Sequence, residues 1–273
     1  MEDMIIIGEK INGFIPKTLR AIEERDLQYI RELAEAQEEN GADYLDICAG
    51  VGSEKELEVM SWLIDAAQES SSLPLCLDSS SPKILLETMK LANRPGIINS
   101  VSLEVEDGKS KCDLIFPVIA ASDWKVIALT IDANGIPEEP EGKAEVARRM
   151  ITQAAEAGIV QNRILIDLVV TTLATKQDSL SNFTDSLRLV HAEFPEVHFT
   201  SGLSNISFGM PFRKAINMQF LALAMAAGMD SAIMDPLSPD MQATLHATSA
   251  LLGRDEYCME YLQAYRDGLF GAK

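Results

Sequence analysis

Cysteine is scarce here. The four in the chain, Cys48, Cys76, Cys112 and Cys258, stand far apart with no C-x-x-C or Cys/His spacing, and the three histidines are equally dispersed. That scatter signals neither a disulfide framework nor a zinc site, so buried reduced thiols and no bound metal are the expectation. Positive charge is also short. Lys and Arg number 23 against 42 Asp and Glu, a formal net charge of -19, which repels phosphate backbones and argues against a nucleic-acid partner. No run approaches the ~20 apolar residues of a membrane span. The start Met1-Glu-Asp-Met4 runs into an apolar strand without a basic flank or cleavage site, so a cytoplasmic protein with no membrane contact is expected. G-x-G-x-x-G and G-x-x-x-x-G-K-[ST] are missing, which leaves a dinucleotide or P-loop site without support. The G-x-S-x-G elbow and the H-E-x-x-H helix are missing too, and with them the serine and zinc hydrolase readings. No Ser/Gly linker or internal repeat interrupts the chain, so residues 1–273 read as one domain.

What is present is a rhythm. Eight short apolar segments, Met4–Gly8, Asp43–Cys48, Leu75–Asp78, Ile97–Leu103, Lys125–Ile131, Ile164–Val169, His198–Leu203 and Ala232–Met234, have helix-like stretches between them. Alternation repeated eight times predicts an α/β fold of the (β/α)8 TIM-barrel type, which runs at roughly 250 residues. Helices are predicted over Asp26–Asn40, stopped by Gly41, and over Ser53–Glu69 with acidic residues in its first turn. A short helix opens at Pro82, and others run over Gly142–Ala157, Ser181–Phe194, Arg213–Ala227, Met241–Leu252 and Glu256–Asp267. The segment beginning at Ile216 is apolar nearly all round, so its outer side is covered either by a second subunit, giving a homodimer, or by the last helix.

In a parallel barrel the C-terminal strand ends carry the chemistry. Here they carry Glu9 and Asn12, Asp46 and Cys48, Asp78-Ser79-Ser80, Asn99-Ser100, Asp132 and Asn134, Asp167, Ser204-Asn205 and Asp235. Carboxylates and carboxamides without a Lys/Arg cluster do not suit a phosphorylated substrate. They suit a neutral heterocycle with N–H donors: an Asp accepts from an amidine-like N–H pair and an Asn both donates and accepts, which reads the 2-amino-4-oxo edge of a guanine or pterin. The same residue types also cap helices, so single positions leave both readings open. Asp167, inside Ile164-Leu-Ile-Asp-Leu-Val-Val170, and Asp78, inside Leu75-Cys-Leu-Asp-Ser-Ser80, are carboxylates in apolar runs and need a partner or a ligand. Arg213 either meets the carboxylate tail of a ligand or pairs with an acidic neighbour on the surface, the second, structural reading being the one favoured. Gly202 and Gly209, around Asn205, allow close backbone approach.

At these strand ends the sequence resembles the pterin-binding barrels, particularly the methyltetrahydrofolate:corrinoid protein methyltransferases. The matching pieces are Ile7-Gly-Glu-Lys-Ile-Asn12, Gly41-Ala-Asp-Tyr-Leu-Asp46, Leu77-Asp78-Ser79, Ile98-Asn99-Ser100, Leu165-Ile-Asp167 and Gly202-Leu-Ser-Asn-Ile-Ser-Phe-Gly209, which span almost the whole chain. The resemblance implies that Asp78, Asn99 and Asp167 hold the pterin ring and that Asn205 hydrogen-bonds near N5, where it acts in catalysis. Gly202, Ser204, Arg213 and Ile233 match supporting positions, and Glu9, Asn12 and Asp46 form a possible second tier. Cys48 departs from the pattern, standing where an Asn is often found. The implied activity moves a methyl group between N5 of tetrahydrofolate and the cobalt of a cobalamin carried by a separate corrinoid protein. Proton supply at N5 is expected from water, with the Asn205 amide stabilising protonated N5. Dihydropteroate synthase is the near rival on this fold, but strand eight ends Met234-Asp-Pro236 without that branch's Arg-x-His. Barrel homocysteine methyltransferases use clustered cysteines that are missing here. A pterin-binding or corrinoid-partner module without turnover is the alternative from another class.

Overall fold

The computed structural model describes residues 4–271; the outermost residues of the 1–273 unit, including the first three, lie outside the described residues. Eight parallel strands form the centre: β1 Ile5–Asn12, β2 Tyr44–Cys48, β3 Leu75–Asp78, β4 Ile97–Leu103, β5 Lys125–Asp132, β6 Ile164–Asp167, β7 His198–Thr200 and β8 Ser231–Met234. Each pairs with the next in sequence, and β8 returns to pair with β1. The seam between β7 and β8 closes through a bridge from Gly202 to Ile233, with the Ile233 N–H donating to the Ser201 carbonyl at 3.0 Å. The predicted barrel is therefore the observed one.

Both faces of the sheet are buried, which is why the strands read as near-continuous apolar runs. Side chains alternate along a strand. Ile7, Cys76, Ile97, Ile127 and Leu165 fill the barrel interior, with Ile5, Tyr44, Leu129 and Ile233 packed against them. Their neighbours of opposite parity, among them Ile6, Leu45, Leu77, Ile98, Val126, Ile166 and Phe199, face the surrounding helices in the larger core. Each fully buried Leu, Ile or Phe contributes about 1.5–3 kcal/mol.

The helices are α1 Pro16–Glu24, α2 Leu27–Glu39, α3 Ser53–Ser70, α4 Pro82–Thr88, α5 Lys111–Ile119, α6 Pro140–Glu156, α7 Ser179–Glu193, α8 Arg213–Ala227, α9 Pro239–Leu251 and α10 Met259–Arg266. Local chemistry sets their ends. Asp26 caps α2, Ser81 caps α4 and Ser238 caps α9 through side-chain oxygens, while Ser110 and Asp113 form a capping box on α5. Gly228, at φ 117°, terminates α8 in the left-handed region.

Three strand ends differ from the sequence reading by two residues or more, each for a physical reason. β1 runs to Asn12 because it carries a bulge between Gly8 and Ile11. Gln37 of α2 fills that bulge: its Oε1 accepts from the Lys10 N–H at 2.9 Å and lies 2.5 Å from where a Cβ on residue 8 would sit, so only glycine fits. β6 stops at Asp167 because Val169 takes φ 48°. β7 stops at Thr200 because the chain then winds into a 3₁₀ turn over Leu203–Ser207. A small hairpin, Val105–Glu106 with Lys109–Ser110, precedes α5, and its Asp107-Gly108 turn has both residues at positive φ, the usual two-residue hairpin chemistry. α10 packs mainly on α9, so the outer side of α8 is not covered by the last helix: Leu223 is exposed, and a groove lined by Leu173, Leu180, Ile216 and Phe220 runs beside it. Among the described residues no helix is long and apolar enough to cross a membrane.

Candidate functional site

Alternation assigns the upper layer of the barrel directly. If Ile7, Tyr44, Cys76, Ile97, Leu165 and Ile233 point inward, so do the residues two further on: Glu9, Asp46, Asp78, Asn99, Asp167 and Asp235. An apolar barrel interior is thus topped by a layer of five carboxyls and a carboxamide at the C-terminal rim, where this architecture places its chemistry.

The deepest of these is Asp46, with 1% of its surface exposed. Burial and the nearby Asp78 charge hold its carboxyl well above the usual carboxylate range, while the Cys76 thiol and the Asn99 amide hydrogen-bond to it. Asn99 Nδ2 donates to Asp46 Oδ1 at 3.4 Å, which commits the amide N–H and not the carbonyl oxygen. Asp46 is therefore a support beneath the site. Asp78 is pushed up to about 6, chiefly by burial, against a hydrogen bond from the Cys48 thiol. Burial pushes the Cys48 thiol itself far up, so it stays protonated and available as a donor. The residue that departs from the resemblance still supplies a hydrogen bond to the Asp78 carboxylate.

Asp167 is also raised to about 6 by burial, opposed by the N–H groups of Val169 and Gly202 and by the Lys143 charge. The Val169 N–H reaches Asp167 Oδ1 at 2.7 Å, made possible by the left-handed turn at Val169. Lys143, on α6 and 3% exposed, donates from Nζ to the Val169 carbonyl at 3.1 Å and is lowered to about 8 by burial. Two backbone N–H groups thus hold the Asp167 carboxylate in place at the barrel mouth.

Next to Asp167 around the barrel, the 3₁₀ turn Leu203–Ser207 that follows β7 carries Asn205. Its side chain is exposed and makes no hydrogen bond among the described residues. A Cβ on Gly202 would stand 3.2 Å from Asn205 Nδ2, so the glycine gives the carboxamide room. Arg213, at the start of α8, fastens this turn: Nη2 donates to the Ser204 carbonyl at 2.6 Å and Nε to Ser207 Oγ at 3.1 Å. Ser207 Oγ in turn donates to Asn217 Oδ1 at 2.6 Å. The partners of Arg213 are a serine and a backbone carbonyl, and among the described residues it forms no ion pair with an acidic neighbour. Ile233 packs inside the barrel and bridges to Gly202 across the seam, and so sets the height of the turn. A cavity of about 250 Å³ lies between the turn and β1, lined by Glu9, Ser204, Arg213, Met234 and Asp235 among others. Burial and then Asp235 raise Glu9 to about 7. Asp235 pairs with Lys10 at 2.8 Å.

The strand-end residues do not all converge. Asn12 Oδ1 accepts from the Phe14 N–H at 2.8 Å and serves a turn, and Asp132 is held by Arg149 at 3.1 Å and by the Asn134 N–H. Sequence reasoning missed the Cys48 and Cys76 thiols as donors and Lys143 as a support. The two thiols were open to the alternation argument, since residues 46, 48, 76 and 78 share inward parity. Nothing local marks Lys143. No group of three or more His, Cys, Asp or Glu is arranged to hold a metal ion among the described residues.

Comparison with known proteins places this geometry in context. A family model described as pterin binding enzyme matches residues 17–235. A methylcorrinoid:tetrahydrofolate methyltransferase of Eubacterium limosum is 46% identical over 98% of both chains. Methionine synthase of Mycobacterium tuberculosis is 32% identical over 85% of this chain, a match that spans 20% of that longer protein. Among solved structures, dihydropteroate synthase of Xanthomonas albilineans superposes with a TM-score of 0.66 at 22% identity, covering 93% of this chain and 94% of the other, a likeness of fold.

Proposed function

The chain belongs to the pterin binding enzyme family, and we propose that it is a methyltransferase moving a methyl group between a methylcorrinoid and N5 of tetrahydrofolate. The observation that carries this reading is the set of groups around the mouth: buried acceptors Asp78 at the end of β3 and Asp167 at the end of β6, with an uncommitted Asn205 carboxamide on the turn that follows β7. It is supported by near-full-length similarity to a protein named for that activity.

In this reading Asp78 and Asp167 accept the N–H groups of the pyrimidine edge, and Asn99, its amide held by Asp46, offers its carbonyl oxygen. Burial makes these contacts stronger than they are in water. Gly202, Ser204 and Ile233 form the ledge on which the ring's N5 side rests, with Arg213 holding the ledge and Asn205 facing N5. A tertiary amine leaves poorly, so transfer from methyltetrahydrofolate requires positive charge at N5 as the C–N bond breaks. A carboxamide that accepts from protonated N5 and donates to neutral N5 stabilises that charge where it develops. No protein nucleophile is required.

The methyl partner is proposed to be cobalamin on a separate corrinoid protein, since the barrel and its helical cover take up the described residues. Residues 1–273 are taken to act as one unit, in the cytoplasm. The uncovered groove beside α8 supports a homodimer, which light scattering of the purified protein would register as twice the mass of one chain. A dihydropteroate synthase reading has the fold alone behind it, and Asp235, where a basic ending would be needed, is instead paired with Lys10. The direct test is anaerobic absorbance of methylcobalamin mixed with the protein and tetrahydrofolate. Loss of the methyl-cobalt band with formation of methyltetrahydrofolate is the expected result; an unchanged spectrum, also with a corrinoid protein present, would favour a non-catalytic binding module.

A further inference from the structure

We infer that Glu9 is the proton carrier for N5, taking the N5 proton when the methyl group arrives and returning one when it leaves. The inference deepens the methyl-transfer reading above and rests on it.

Glu9 ends the inward-facing series of β1 and lines the same cavity as Ser204, the residue next to Asn205, and Arg213, which holds that turn. Its carboxyl is half-buried and makes no hydrogen bond among the described residues. The other inward carboxyls are committed: Asp46 to Asn99 and Cys76, Asp78 to Cys48, Asp167 to Val169, and Asp235 to Lys10 and the Leu237 N–H. A free carboxyl in the cavity that runs up to the Asn205 turn, where the amide cannot itself hold a proton, is the arrangement proton transfer requires.

The charged groups facing Glu9 come from every element around it. Asp235, just after β8, favours its protonated form, while Lys10 on its own strand and Arg213 on α8 favour the carboxylate; on β2, it is the Glu9 charge that helps raise Asp46. Lys214 lines the cavity as well, but its charge is paired with Asp240 of α9. Burial adds to the acidic side, and the balance puts the proton affinity of Glu9 near neutrality, where a carboxyl both gives and takes.

The step balances in both directions. When methylcorrinoid is the donor, the N5 lone pair forms the N–C bond and the Co–C bond breaks with its electron pair remaining on cobalt, which passes from Co(III) to Co(I). N5 is then cationic, and its proton moves to the Glu9 carboxylate. In reverse, protonated Glu9 gives its proton to N5, Co(I) attacks the methyl carbon, and tetrahydrofolate leaves as a neutral secondary amine.

The test is Glu9→Gln, which keeps the shape and removes the titrating group. Wild type and variant are assayed anaerobically with methylcobalamin and tetrahydrofolate across roughly pH 5.5 to 8.5, and tetrahydrofolate binding is measured in parallel by titration calorimetry. The expected result is binding within about twofold of wild type, transfer slowed by about 10²-fold or more, and loss of the wild-type pH limb near neutrality. Glu9→Asp, which keeps a titrating carboxyl, should recover part of the rate together with the limb. Wild-type rate and an unchanged limb in Glu9→Gln would overturn the inference and leave the methyltransferase reading standing. Parallel loss of binding and rate would also overturn it, by making Glu9 a ring-holding residue. A wild type without turnover removes the methyl-transfer reading, and the inference with it.

Discussion

Replacing Asp167 by Asn separates ligand binding from folding. The side chain sits at the end of β6 with 7% of its surface exposed; Oδ1 accepts from the Val169 N–H at 2.7 Å, the Gly202 N–H also bonds to the carboxyl, and in the proposed reading the carboxylate's remaining lone pairs accept the ligand's N–H groups. In Asp167→Asn the carbonyl oxygen can keep the Val169 contact, and the amide then turns an N–H₂ toward the N–H donors of the pterin. A hydrogen bond to a charged acceptor contributes about 1.5–3 kcal/mol, so its loss weakens binding by about 10- to 150-fold. Folding responds differently. Burial raises the Asp167 pKa to about 6, so the ionised carboxylate is a cost to the empty protein above that pH, and a neutral isostere removes the cost. At about pH 8 the variant should melt no lower than wild type while binding tetrahydrofolate far more weakly. Titration calorimetry under anaerobic conditions with a parallel thermal melt reads both. Wild-type affinity in Asp167→Asn would refute the ring-holding role; a large drop in melting temperature would refute the claim that the charge is retained for the ligand.

Two further predictions come from the same geometry. Asp78 and Asp167 both rise to about 6, so the acceptors are intact above that pH and are lost as pH falls through it; tetrahydrofolate affinity should fall about tenfold per pH unit for each carboxylate that must ionise, and Cys48→Ala, which removes the thiol donor to Asp78, should move this limb to higher pH. An affinity flat from about pH 5 to 7 contradicts the assignment. Gly202→Ala puts a methyl group 3.2 Å from Asn205 Nδ2 and should slow transfer about tenfold with ring binding little changed, since Asp78, Asn99 and Asp167 are untouched; steady-state kinetics showing a change in KM alone would count against it.

The barrel was legible because its signal is long-range and redundant. Eight apolar runs buried on both faces, separated by helix-length segments, admit few other topologies, and Asp78, Asn99 and Asp167 ended those runs visibly. What escaped the sequence was side-chain commitment. Nothing local says that Asn12 serves a turn while Asp46 holds Asn99, because both are polar residues at strand ends. Lys143 looks like any helix lysine until the left-handed turn at Val169 brings a backbone carbonyl to its ammonium. The extension of β1 to Asn12 depended on Gln37, from a different helix, filling the bulge at Gly8. Cys48 read as a departure from the pattern, and only its contact with Asp78 gives it a role.

The most direct test of the account compares wild type with Asn205→Ala in anaerobic methyl transfer between methylcobalamin and tetrahydrofolate, with tetrahydrofolate binding measured on the same preparations. The account predicts turnover by wild type, and in Asn205→Ala near-normal binding with transfer reduced by about 10²–10³-fold, the usual loss when one donor to a developing charge is removed. Equal transfer by the two proteins would contradict it.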